Sequence, residues 1–120
     1  MNGPWKAKAH FIQNVPGGST LEARITPDQA PITAAGRVLI LGGDKVKWSH
    51  SDLAPGPASL PIQQGLAYRP HFFLLFFDEA TVRIEIRVID PSGAVFEEGF
   101  WEISGGRDDE EERKLFLATA

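Results

Sequence analysis

From Val82 to Val88 the chain alternates without a fault, with Val82, Ile84, Ile86 and Val88 on one side and Arg83, Glu85 and Arg87 on the other. A period of two marks a β-strand with one face buried. The same pattern recurs in Leu21–Ile25, with Leu21, Ala23 and Ile25 apolar, and in Trp5–Ile12. There Trp5, Ala7, Ala9 and Phe11 are expected inward, and Lys6, Lys8 and His10 on a basic outer face. Between these runs the punctuation is dense: Pro16-Gly17-Gly18, Thr26-Pro27-Asp28, Gly42-Gly43-Asp44 and Asp90-Pro91-Ser92-Gly93. Such clusters are turn chemistry, and no stretch of eleven or more residues sustains a 3.6-residue period. Short strands at turn-bounded intervals predict an all-β chain. The expected architecture is an antiparallel two-sheet β-sandwich, immunoglobulin-like or a related Greek key, with a small closed barrel as the alternative.

Local details follow from the turns. Val38–Leu41 and Val46–Asp52 flank Gly42-Gly43-Asp44 as a hairpin. Ala54–Pro61, with Pro55, Gly56, Pro57 and Pro61, is a loop by composition. Asp90-Pro91-Ser92-Gly93 suits a type I turn with a left-handed glycine bulge, which sets Arg87 opposite Glu97 and Arg83 opposite Trp101. That register carries Phe96 and Phe100 inward, and Glu98 and Glu102 with them. A bulge at Gly99 would rotate the two glutamates out. Residues 105–113 hold the run Asp108–Glu112, expected as an acidic loop that feeds a last strand.

His71–Phe77 departs from alternation: Phe72, Phe73, Leu74, Leu75, Phe76 and Phe77 are apolar on both faces. One face of a sandwich strand normally looks at solvent, so a cover is expected. Either Ala54–Gln64 folds over it or another subunit does. This excess makes Phe72, Phe73, Phe76 and Phe77 candidate interface residues and a homo-oligomer or protein partner the expected company.

The chain has 120 residues, 12 basic and 16 acidic, and no cysteine. That length accommodates one domain, 1–120, with a core large enough to need no disulfide or structural metal. The lack of thiols excludes disulfide frameworks, thiol catalysis and common zinc sites. Residues 1–77 carry seven basic and four acidic side chains, and residues 78–120 carry five and twelve. A net charge of −4 lacks the basic footprint of a nucleic-acid binder. Without a bilayer-length apolar run or a signal-peptide core, no membrane association is expected, and the expected address is cytoplasmic.

Candidate chemistry is sparse. Phosphate loops, nucleophile elbows, H-E-x-x-H pairs and EF-hand spacings are missing, so no cofactor or metal is implied and the chain leans away from catalysis. On a strand, Val46, Trp48, His50 and Asp52 would share one face, and an imidazole near a carboxylate is half of an acid–base pair. Trp48, His50, Asp52 and Tyr68 are therefore the candidate residues for a small-ligand or carbohydrate pocket. The bland alternative is a core Val46 and Trp48 with His50 and Asp52 at an ordinary strand end. Gly43-Asp44-Lys45-Val46-Lys47-Trp48 resembles the Gly-Asp-x-Val-x-Trp strand of cupredoxins, which implies a Greek-key sandwich. The copper site of that family needs a thiolate, and this chain has none. His10, His50 and His71 lack a ligand spacing. Glu98 and Glu102 sit too far apart along one strand for a glycosidase pair.

Overall fold

A computed structural model describes residues 4–120. Two sheets pack face to face. The five-stranded sheet has the order β1-β9-β6-β3-β4 and the four-stranded sheet the order β5-β2-β7-β8. The strands are β1 (Ala9–Val15), β2 (Thr20–Thr26), β3 (Ile32–Leu41), β4 (Lys45–Trp48), β5 (Ala58–Pro61), β6 (Ala67–Phe76), β7 (Ala80–Ile89), β8 (Val95–Gly105) and β9 (Glu110–Thr119), with one helical turn, α1 (His50–Leu53). The sheets stay open at their edges, so the sandwich is the architecture and the closed barrel is not. β6 and β9 are neighbours in one sheet while the β7–β8 hairpin between them lies in the other, the wiring of a Greek key folded across the layers. All pairs are antiparallel except β1 with β9.

The core is what alternation predicts. Leu21, Ala23 and Ile25 of β2 meet Val82, Ile84, Ile86 and Val88 of β7, all fully buried, under Phe72, Phe76, Leu115 and Leu117 of the facing sheet. The β3–β4 hairpin forms, but its second strand ends at Trp48, and His50 to Asp52, expected on the strand, lie in α1.

Three expectations are corrected. Ala58–Pro61 is strand β5, paired with β2, because Ala58 and Leu60 alternate into the core. Its proline is tolerated because the strand is an edge. Ala54–Gln64 therefore does not fold over β6. The β7–β8 bulge sits next to the turn, between Val88 and Ile89, not at Gly99. One residue of slip puts Arg87 opposite Glu98 and Arg83 opposite Glu102, which turns both glutamates outward, buries Trp101 and leaves Phe96 exposed.

The N-terminal run also departs from its alternation. Pro4 and Trp5 lie beside Phe100 of β8, and the chain then crosses to the other sheet, where β1 pairs with β9. The apparent alternation of Trp5–Ile12 thus spans two sheets. In β1 it is Ile12 that is buried, while Phe11 is 61% exposed and stacks on Phe116 at 4.8 Å. Trp5 closes the open side of the sandwich, its ring 3.7 Å from His10 and edge-on to Trp101 at 4.9 Å. A Cβ on Gly99 would lie 2.3 Å from the Trp5 indole, so this position has room only for glycine. Trp101 Nε1 donates to the Ala7 carbonyl at 2.8 Å, and His10 reaches Glu97 at 2.9 Å.

Candidate interaction face

The four pocket candidates do not converge. β4 ends at Trp48, which packs on Phe72 in the core. At Ser49 the chain turns into α1, because the Asp52 carboxylate accepts hydrogen bonds from the Ser49 backbone N–H (2.7 Å) and hydroxyl (3.0 Å). These bonds, the backbone one first, hold the Asp52 carboxyl below its usual value. His50 Nδ1 accepts the Ala34 N–H at 3.2 Å, so its ring continues the β3 ladder where β4 has stopped. Tyr68 is buried on β6, four residues from Phe72 or roughly 13 Å along the strand, and its hydroxyl accepts the Gln63 N–H at 2.8 Å. His50 and Asp52 therefore do not form a dyad, and Tyr68 does not join them. The three histidines sit apart: His10 under Trp5, His50 on α1 and His71 on the outer face of β6. Among the described residues no three His, Cys, Asp or Glu side chains group as metal ligands.

The four phenylalanines divide by parity. Phe72 and Phe76 point into the core and are fully buried, so neither is available to a partner. Phe73 points outward and is half-buried, and Phe77 is exposed in the turn after β6. The cover over the outward half of β6 is partly its own neighbourhood: the Arg37 guanidinium lies over the Phe73 ring at 5.6 Å, and Arg69 over Phe116 at 5.5 Å.

The two outer faces differ in charge. On the four-stranded sheet every strong cation has an answer: Arg24 with Glu85 (3.3 Å), Arg83 with Glu102 (3.2 Å) and Arg87 with Glu98 (3.3 Å). Arg83 also covers Phe100 at 4.5 Å. On the five-stranded sheet the register lines up Lys114, His71, Arg37 and Lys47 across four adjacent strands. Arg69 and Lys45 stand one step along, in a row with Leu39 and Phe116. Among the described residues Arg37, Lys45, Lys47, Arg69 and Lys114 form no ion pair. Only His71 has a carboxylate nearby, Glu112 at 3.4 Å. Like charges directly opposite one another weaken a sheet, and Arg37 and Lys47 are such a pair. Arg37, Lys45, Arg69 and Lys114 rim a depression of about 320 Å³ floored by Leu39, Pro70, Leu115 and Phe116.

At the opposite end of the same face β9 begins with Glu110 and Glu112. The acidic run Asp108–Glu112 is accordingly half turn and half strand. No protein-family model, curated protein or solved structure matches this chain. The molecule is an all-β sandwich with one face on which each arginine has a glutamate and one face that is aromatic and rich in cations unpaired among the described residues.

The cations of this face escape a reading of the sequence because the β3–β4 hairpin, β6 and β9 that carry them are far apart in the chain. Their shared parity in each strand is visible: Arg37 with Leu39, Lys45 with Lys47, Arg69 with His71 and Phe73, and Lys114 with Phe116. Their adjacency requires the strand order.

Proposed function

We propose that this protein is a non-catalytic interaction module that docks an acidic protein partner on the outer face of its five-stranded sheet. The observation that carries this reading is the row Lys114–His71–Arg37–Lys47, in which Arg37 and Lys47 stand directly opposite and neither they nor Lys114 has an ion-pair partner among the described residues, while each arginine of the other face has a glutamate. A sheet under selection for stability alone would break such a row with carboxylates. The aromatic rings beneath Arg37 and Arg69 add desolvated contact area, the combination of Arg and aromatic anchors that dominates binding energy in protein interfaces.

The test is a titration of isotope-labelled protein with a synthetic Glu- and Phe-containing peptide, followed by amide chemical shifts. Shifts at Arg37, Arg69, His71 and Lys114, absent at Arg83 and Arg87 and lost in the double variant R37E/K114E, are expected. Equal shifts on both faces, no shifts, or a stronger response to a single-stranded oligonucleotide than to the peptide would each overturn the reading.

A further inference from the structure

We infer that the acidic partner is a second copy of this chain, packed face to face about a two-fold axis that lies in the interface and runs across the strands. The inference rests on the docking face proposed above and adds its occupant. A two-fold interface must be complementary to itself, and the β9–β6 part of this face is: Glu110 and Glu112 stand at one end of β9, while Lys114 and, on the neighbouring β6, Arg69 lie further along the same face. Glu112 and Lys114 are two residues apart on the same side of β9, about 7 Å along the strand.

An axis passing midway between them lays β9 of one copy antiparallel over β9 of the other. Each Glu112 then faces the other copy's Lys114, and Glu110 comes over the row that holds Arg69. The half-buried Phe73 of each copy lies beside the axis, where burial is deepest. The packing is the aligned kind that sheets already use within a sandwich. Three ten-residue strands flanked by β1 and β4 present a face on the order of 700 Å², close to what one partner contributes to a stable dimer.

The experiment is absolute mass by size-exclusion chromatography with light scattering, at low and high protein concentration and at low and high salt. It is run on the full chain, on E112K, on K114E and on E112K/K114E, with E110R and R69E as a second swap pair. All four positions are surface charges, and circular dichroism checks that each variant is folded. A species of twice 13.2 kDa is expected. Each single reversal should weaken it roughly tenfold or more, the effect of one close charge pair across an interface. The double swap should restore it, and high salt should weaken the parent dimer.

A monomer under every condition overturns self-association. The peptide titration then decides separately whether the face still binds an acidic partner. A dimer indifferent to both single reversals overturns the geometry and moves the interface elsewhere.

Discussion

Gly99 shows how much a single residue decides. It faces the core from β8 opposite Ile86, and the space its missing side chain leaves is filled by Trp5 from a distant part of the chain. Gly99→Ala should displace the indole and destabilise the fold by about 1–3 kcal/mol, the usual cost of overpacking. Urea unfolding together with a changed tryptophan emission would report it, and an unchanged midpoint would contradict the placement of Trp5. Asp52 and Asp90 are residue-scale devices of another kind. The Asp90 carboxylate accepts from the Ser92 hydroxyl, and also from the Ser92 and Ala94 backbone N–H groups at the hairpin tip, which together hold its carboxyl below the usual 3.8. For a carboxyl lowered by folding, the stabilisation is complete above the unfolded value of 3.8 and is lost as pH falls through the lower folded value. Carboxyl-carbon NMR titration should place both midpoints below 3.8, and acid should loosen the 49–53 and 90–94 turns only beneath that pH.

Among the elements, edges and registers decide what pairs with what. β4 and β5 are four-residue edge strands, one with Lys45 and Lys47 outward and one ending in Pro61, and both discourage further strand pairing. β1 breaks its register between Ile12 and Val15, where Asn14 adopts φ 60°. β7 and β8 were legible as strands from the sequence, yet their register was not. The turn residues predict a bulge, but its position decides whether glutamates or Trp101 enter the core, and the core decides by burying the indole. The cation row makes a further prediction at this scale. Lys47→Glu, directly opposite Arg37, should raise stability by a few tenths of a kcal/mol by turning a repulsion into a cross-strand pair. The same change should weaken binding of the acidic peptide. Stability that rises while binding falls is the signature of a face kept for a partner, and urea midpoints measured beside the NMR titration read both.

For the whole molecule, the ends of the chain meet: β1 pairs in parallel with β9, and β9 lies between β1 and β6 inside the five-stranded sheet. Removing residues 110–120 would take out an interior strand with Leu115 and Leu117, so circular dichroism should show an unfolded chain, not a loosened one. Because strand pairs join distant segments, refolding of the intact protein should fall in the millisecond-to-second range of non-local β-topologies, checked by stopped-flow fluorescence. The all-β class, most of the strands and the inward set of β2 and β7 were determined by the sequence itself, since period-two alternation and turn chemistry act between near neighbours. The outward cations and the even-numbered core positions of β6 are also written in strand parity. Tertiary structure alone decided that Lys114, His71, Arg37 and Lys47 stand in one row, that Tyr68 lies apart from Trp48, and that Trp5 closes an edge built by β8 and β1. The physical reason is that adjacency between strands is set by how two sheets share one core, a property of all their side chains at once and of no single segment.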